Sequence, residues 1–284
     1  MAAVDRIWLA TLTKNEDDAG TDTNRLNLTI NIDGEDIVDM DFRFLRAPGW
    51  LSGGLGPDSD WLGRGQAALS FSDLPTPIET SHLTNSSIRL GIRTDDAWGP
   101  QHVLVLGRHE RLVIPIAMEM DLDRWLSTDS SEGKLTMPLR LVREGTSSTL
   151  IRRLVLLVYT GTGDDVETDS RIHLQIAAAG NIVVDQDIPD TEQDDLEQYT
   201  ANWYDVDVGV PFTRGDVLSN GQIRLSILGT DAWRPESVFV FGLDTASGRP
   251  NEVVPLVAIQ EWSFRPLSTD PNEGEASVIL PVVG

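Results

Sequence analysis

Residues 87–100 read Ser-Ile-Arg-Leu-Gly-Ile-Arg-Thr-Asp-Asp-Ala-Trp-Gly-Pro, and residues 222–235 read Gln-Ile-Arg-Leu-Ser-Ile-Leu-Gly-Thr-Asp-Ala-Trp-Arg-Pro. The second stretch repeats the first and closes on the same Asp-Ala-Trp-x-Pro motif. Three more landmarks recur in the same order: an acidic turn ending in Thr-Asp (17–22 and 164–169), an apolar segment ending in glycine (102–107 and 237–242) and Leu-Ser-Thr-Asp followed by Glu-Gly (126–133 and 267–274). This agreement predicts an internal duplication.

The repeat divides the chain into two domains of similar length. Its period is about 140 residues, far above the roughly 20–50 residues of solenoid repeats, so each copy is large enough to be a whole domain. The polar stretch from Glu144 to Thr149 separates two apolar segments. We therefore expect one domain over residues 1–145 and a second over residues 146–284.

Short apolar segments between frequent turn residues favour strands throughout the chain. Residues 26–32, Leu-Asn-Leu-Thr-Ile-Asn-Ile, alternate apolar and polar side chains, as a half-buried strand does. Residues 103–106 and 154–159 are rich in branched side chains, and no window combines a helical period with caps. The predicted fold class is all-β, with two tandem antiparallel β-sandwich domains of similar fold.

The composition is that of a globular protein with a strong negative charge. The 284 residues include 45 Asp and Glu against 22 Lys and Arg, for a net charge of −23, and no cysteine. A field of this sign repels a phosphate backbone and argues against nucleic-acid binding, and the lack of cysteine excludes disulfides and thiolate sites. The excess of acids is consistent with adaptation of the surface to high salt or with a concentration of calcium ligands. A codon bias that favours arginine over lysine is a further explanation of the charged composition.

The sequence shows no targeting or membrane segment. Its first residues, Met-Ala-Ala-Val-Asp-Arg-Ile-Trp-Leu, contain charges and no long apolar run, unlike a secretory signal. No stretch approaches the roughly 18 apolar residues of a membrane span. If the numbering starts at the natural terminus, we expect a cytoplasmic protein or one exported by a signal-less route.

The paired landmarks resemble those of a known family. An opening strand, an acidic turn of the form Asp-x-Gly-Thr-Asp, an alternating strand and a later Asp-Ala-aromatic-x-Pro together resemble the PLAT/LH2 domain, the β-sandwich of lipoxygenases, pancreatic lipase and the C-terminal part of clostridial alpha-toxin. The run Asp-Ala-Trp-Arg-Pro-Glu at residues 231–236 is similar to Asp-Ala-Tyr-Lys-Pro-Glu of the toxin domain. The resemblance covers both halves through two short motifs in each. It implies a module of two four-stranded sheets that binds membranes or proteins, often with calcium.

The resemblance also implies a set of calcium ligands in each copy. They are Asp18, Gly20, Asp96 and Ala97 in the first copy and Asp165, Glu167, Asp231 and Ala232 in the second, with Asp22 and Asp169 as further ligands. Calcium takes six to eight oxygens from carboxylates, carbonyls and water, and two acidic loops at one end of a sandwich would supply them. Because Glu167 stands where the glycine should be, the first copy is expected to hold the better site. The alternative is that these aspartates cap turns by bonding backbone amides.

Aromatic residues suggest a contact surface. Trp98 and Trp233 follow the Asp-Ala pair in both copies, and they suit either a buried anchor for the loop or an exposed contact with a membrane interface. Trp50 and Trp61 flank a long apolar loop without a counterpart in the second copy, where Trp203 and Tyr204 occupy the comparable region. The hypothesis is that Trp50, Trp61, Trp203 and Tyr204 contact a partner or a membrane.

No catalytic constellation stands out. The four histidines form no His-x-x-x-His pair, and nucleophile elbow, P-loop and dinucleotide fingerprint are all absent. We therefore expect a non-catalytic, calcium-dependent module that recognises a lipid surface or a protein partner. The alternative is a structural component that assembles into a larger particle, such as a surface layer, capsid decoration or tail-like apparatus. An enzyme, such as a carbohydrate-active sandwich, would need convergent acids in a cleft.

Overall fold

The chain forms two compact units. The computed structural model describes residues 3–21, 25–43, 62–93, 95–161, 166–189, 196–246 and 248–284. The first unit comprises Met1–Val142 and the second Arg143–Gly284. The division lies slightly before the boundary drawn from the sequence, because Arg143 and Glu144 form a short strand that pairs with a strand of the second unit.

The described residues of the first unit form two antiparallel sheets. Their strands are β1 (Ala3–Thr13), β2 (Arg25–Ile32), β3 (Glu35–Arg43), β4 (Ala67–Glu79), β5 (Ile88–Ile92), β6 (Pro100–His109), β7 (Leu112–Glu119) and β8 (Thr136–Pro138). One sheet has the order β7-β6-β1-β4 and the other has the order β3-β2-β5-β8. A 3₁₀ helix, Thr80–His82, lies between β4 and β5.

The second unit repeats this arrangement. Its elements are β9 (Arg143–Glu144), β10 (Leu150–Tyr159), β11 (Ile172–Ala178), β12 (Asn181–Asp187), β13 (Ala201–Thr213), α1 (Arg214–Asn220), β14 (Gln222–Ile227), β15 (Ser237–Leu243), β16 (Glu252–Ile259) and β17 (Ser277–Leu280). One sheet has the order β9-β16-β15-β10-β13, with β9 parallel to β16, and the other has the order β12-β11-β14-β17. Leaving β9 aside, each strand has a counterpart at the same place in the first unit.

The core of each unit lies between its two sheets, as in a sandwich. In the first unit Leu26, Leu28 and Ile30 of β2 pack with Ile7 and Leu9 of β1. The strict alternation in β2 turns every second side chain towards this core. The prediction of an all-β fold built from antiparallel sheets is therefore confirmed. That the two units arose by duplication remains a prediction from the repeated sequence.

Helix α1 was missed by the sequence analysis. The hydroxyl of Thr213 accepts a hydrogen bond from the backbone N–H of Asp216, and the Asp216 carboxylate accepts one from the Thr213 N–H. This reciprocal pair is a capping box. Seven residues are too few to show helical periodicity, so only the Thr-x-x-Asp pattern could have indicated the start. No helix in the part of the chain that the structure describes has the length and apolar character needed to cross a membrane.

Candidate functional site

The repeated tryptophans anchor the loops that follow β5 and β14. Trp98 and Trp233 are both completely buried. The indole N–H of Trp98 donates to Oγ1 of Thr13 over 3.0 Å, and that of Trp233 donates to Oγ1 of Thr160 over 3.1 Å. Of the two interpretations open from the sequence, the structure supports the buried anchor rather than an exposed membrane contact.

The Leu-Ser-Thr-Asp motif docks on the tryptophan loop in both units. Backbone hydrogen bonds join Trp98 to Leu126 and Trp233 to Leu267. A side-chain hydrogen bond stabilises the turn that follows, because Oγ of Ser268 donates to Oε2 of Glu273 over 3.1 Å. Ser127 and Glu132 form the same bond in the first unit. The serine and glutamate of this landmark therefore recur because together they shape a turn.

In the second unit the repeated loops surround an acidic cavity of about 570 Å³. Its lining is Glu167, Thr168, Asp169, Glu197, Asp231, Ala232, Arg234, Pro266 and Glu273. The acidic turn, the Asp-Ala-Trp loop and the loop after Leu267 all contribute. The structure thus brings together four predicted ligands, Glu167, Asp169, Asp231 and Ala232, whereas Asp165 lies outside the described residues. Glu197 and Glu273 were not predicted as ligands from the sequence, although Glu273 belongs to the second Glu-Gly landmark.

Hydrogen bonds hold the walls of this cavity together. The backbone N–H of Asp169 donates to Oδ2 of Asp231 over 3.3 Å, across 62 residues of sequence. The N–H of Arg234 donates to the carbonyl of Val166 over 3.1 Å. The carboxylate oxygen Oε2 of Glu167 is buried and has no hydrogen-bond partner among the described residues. A buried carboxylate oxygen is costly unless a cation or a donor satisfies it.

The equivalent loops of the first unit also meet, and basic side chains stand beside them, as Arg234 does in the second unit. The N–H of Gly99 donates to the carbonyl of Ala19 in the acidic turn over 3.0 Å. Arg64 Nη1 lies 2.7 Å from Oδ1 of Asp17 in the same turn. The buried Lys14 places Nζ 3.6 Å from Oδ1 of Asp123. Internal cations therefore neutralise part of the acidic charge at this end of the first unit.

The structure describes four of the five predicted ligands of the first unit. Asp18 is exposed, with a φ of 61°, and Gly20 follows two residues later in the turn. Asp96 caps its own loop, because Oδ1 accepts the N–H of Ala97 over 2.9 Å. This is the turn chemistry left open from the sequence. Asp22 lies outside the described residues.

No three histidine, aspartate or glutamate side chains among the described residues form a group that could hold a metal ion. The carboxylates of the acidic cavity are therefore spread over its walls. An ion bound there would take its remaining ligands from main-chain carbonyls and water, which calcium accepts readily.

The predicted aromatic contacts need a correction. Trp203 and Tyr204 lie within strand β13 and are only 5% and 4% exposed. Tyr204 belongs to the core between the sheets. Their predicted role as loop contacts is wrong, because a partner cannot reach rings that are buried within a strand. Trp50 and Trp61 lie outside the described residues.

Comparisons with known proteins do not identify a family for this chain. No protein-family model, curated protein or solved structure matches the chain.

Proposed function

We propose that the chain is a non-catalytic, calcium-dependent binding module whose second unit holds the ion in the acidic cavity. The observation that carries the proposal is the buried, unpartnered Oε2 of Glu167 in a cavity that Asp169 and Asp231 also line. The resemblance to PLAT/LH2 domains points to the same loops. This assignment moves the better site from the first copy to the second.

Calcium suits this cavity better than a smaller ion does. Calcium accepts six to eight oxygens in flexible geometry and tolerates main-chain carbonyls and water, whereas magnesium requires a near-octahedral shell. The loops of the cavity are joined by a few hydrogen bonds, such as that between Asp169 and Asp231. Small movements of these loops would draw two or three carboxylates onto one ion.

The charge of the chain explains why an ion is needed for a membrane target. A net charge of −23 opposes docking to an anionic leaflet, which attracts basic segments. Bound calcium would neutralise part of the acidic charge at the loop end of the second unit. The partner in this proposal is a lipid surface or a protein docked at that end.

Calorimetric titration with calcium chloride tests the ion site. We expect binding heat with the unmodified chain and a loss of affinity of at least about tenfold in Glu167→Gln and in Asp231→Asn, because each removes a charge from the cavity. The matched control is Asp18→Asn with Asp96→Asn in the first unit, which should retain the affinity. An unmodified chain that takes up no calcium would refute the proposal.

Vesicle pelleting then separates the two kinds of target. A lipid target predicts that vesicles containing phosphatidylserine pellet the chain with calcium and release it when EDTA is added. Equal pelleting with and without EDTA would exclude the calcium-dependent lipid version. Light scattering on the chain alone tests the assembly alternative, which requires large particles in the absence of vesicles.

A further inference from the structure

Each unit carries a pair of aspartates on the face of one sheet that is turned away from the core. They are Asp39 and Asp41 on β3 of the first unit and Asp185 and Asp187 on β12 of the second. Asp41 lies directly opposite Asn27 on the neighbouring strand β2. Asp187 lies opposite His173 on β11 in the same way. The two pairs therefore occupy equivalent places on the terminal strand of their sheets.

In the first unit an arginine neutralises this pair. Arg93 donates from Nη2 to Oδ1 of Asp39 and from Nη1 to Oδ1 of Asp41, the latter over 3.3 Å. Asn27 adds a neutral amide donor, with Nδ2 2.7 Å from Oδ1 of Asp39. A guanidinium keeps its charge at every pH that a folded protein meets. This arrangement therefore does not depend on protonation.

In the second unit the two aspartates have a histidine as their hydrogen-bond partner instead of an arginine. Leu228 follows β14 as Arg93 follows β5, and leucine carries no charge. His173 instead lies between the two carboxylates. Its Nδ1 is 2.7 Å from Oδ1 of Asp187, and its Nε2 is 2.9 Å from Oδ1 of Asp185.

These distances require a particular protonation state. An ionised carboxylate only accepts hydrogen bonds, so each ring nitrogen of His173 has to carry a hydrogen. A neutral imidazole has one N–H, and only the imidazolium has two. The geometry is therefore that of a positively charged histidine between two negative charges.

We propose that protonated His173 is a pH-sensitive clamp that holds the terminal strand β12 to β11, in place of the permanent arginine of the first unit. When the ring loses a proton, one of the two carboxylate oxygens faces a lone pair instead of a ring N–H, and Oδ1 of Asp185 keeps only the neutral amide donor of Gln175, 3.0 Å away. The two aspartates are then no longer neutralised by the ring. Strand β12 is held less tightly as a result, while β3 of the first unit is unaffected.

Among the described residues, no arginine or lysine forms an ion pair with Asp185 or Asp187, although the exposed Arg171 lies two residues before His173. On β14, Ser226 lies opposite His173, and Arg224 lies two pairs further along, opposite Gln175. Strand β13, which contacts β12, carries Asp205 and Asp207.

The remaining neighbour of β11 is helix α1, whose charged residues are engaged at the far end of the strand. Asp216 bonds to Thr213, and Arg214 is directed to the carbonyl of Pro255. The charges in contact with the ring are therefore those of Asp185 and Asp187, and they favour the charged form of His173.

The expected pH dependence follows from the same contacts. Partial burial lowers the pKa of His173, but the hydrogen bonds to Asp187 and Asp185 and their charges outweigh it, so the pKa lies above its ordinary value. A group whose pKa is raised by folding stabilises the fold fully below its unfolded pKa of about 6.5. This stabilisation is lost as the pH rises through the higher, folded pKa.

NMR of the ¹⁵N-labelled full chain without calcium tests the protonation state. The ring signals of His173, assigned by their loss in His173→Asn, should titrate with a pKa above about 6.5 and show two N–H groups at pH 6.5. A pKa at or below that value, or a neutral tautomer at pH 6.5, would overturn the proposal. Because calcium is absent, the result is independent of the proposed ion site.

Hydrogen exchange tests the effect on the strand. Protection factors of the β12 amides should fall between pH 6 and pH 9, by about tenfold for each unit by which the pKa is raised. The double variant His173→Asn with Leu228→Arg recreates the first unit's arrangement and should remove this fall. An equal fall in the double variant, or none in the unmodified chain, would contradict the clamp. The NMR titration uses the unmodified chain, so it decides the question even if the double variant does not fold.

Discussion

At the scale of single residues, one buried hydrogen bond explains the most distinctive part of the repeat. Trp98 and Trp233 are completely buried, and so are their acceptors Thr13 and Thr160. An indole N–H needs a partner when it is buried. The tryptophan and the threonine therefore form one structural pair, although more than 70 residues separate them in each unit.

Replacing Thr160 by valine should destabilise the second unit. Valine keeps the shape of threonine but removes Oγ1, so the N–H of Trp233 stays buried without an acceptor. We expect a loss of about 1–3 kcal/mol in the free energy of unfolding, measured by urea denaturation. Thr13→Val should cost a similar amount in the first unit.

The control for this prediction is Thr76→Val. Thr76 is exposed on strand β4, and its substitution should change the free energy of unfolding by no more than about 0.5 kcal/mol. If Thr160→Val were as mild as Thr76→Val, the bond to Trp233 would have no structural importance.

At the scale of strands, the glycine that ends each repeated apolar segment has a steric role. Gly107 lies in β6 and Gly242 in β15. A Cβ added to Gly107 would lie 2.7 Å from Cγ1 of Val4, and one added to Gly242 would lie 2.5 Å from Cδ1 of Ile151. Both glycines therefore let a core side chain approach the neighbouring backbone.

Gly242→Ala should consequently destabilise the second unit. The added methyl group overpacks the core against Ile151, and we expect a loss of about 1–3 kcal/mol in the free energy of unfolding. Thermal unfolding followed by circular dichroism would measure it. Gly209→Ala is the matched control, because Gly209 also lies in a strand but its nearest neighbour is 4.0 Å away. Equal melting temperatures for the two variants would disprove the steric explanation.

At the scale of the whole molecule, the net charge of −23 is the dominant electrostatic feature. Like charges repel within the compact state, and salt screens that repulsion. Exposed pairs such as Arg64 with Asp17 neutralise only part of the acidic surface. The folded chain should therefore gain stability from added salt.

We expect the melting temperature at neutral pH to rise as sodium chloride increases from about 0.05 M to 1 M, where the screening length falls from more than about 10 Å to about 3 Å. Scanning calorimetry would measure the rise. The effect should largely vanish near pH 4.3, the calculated isoelectric point, where the net charge is close to zero. A melting temperature that falls with salt at neutral pH would show that attractive ion pairs dominate instead.

Much of the architecture could be predicted because its signals are local. The alternation in residues 26–32 identifies a strand without any knowledge of its neighbours, and the Asp-Ala-Trp-x-Pro repeat identifies equivalent loops. Helix α1 was not predicted because seven residues are too few to show a helical period. Trp203 and Tyr204 were assigned to a contact loop because their burial depends on what packs against β13, which no local pattern reveals.

The all-β character of the protein and the shared order of landmarks in its two halves follow from the amino-acid sequence alone. That Glu167, Asp169 and Asp231 share a cavity, and that His173 takes the place of Arg93, depends on how the chain folds. Strand character depends on neighbouring residues, whereas the surroundings of a charge depend on segments far away in the chain. Asp169 and Asp231 meet across 62 residues because the sandwich brings their loops to the same end.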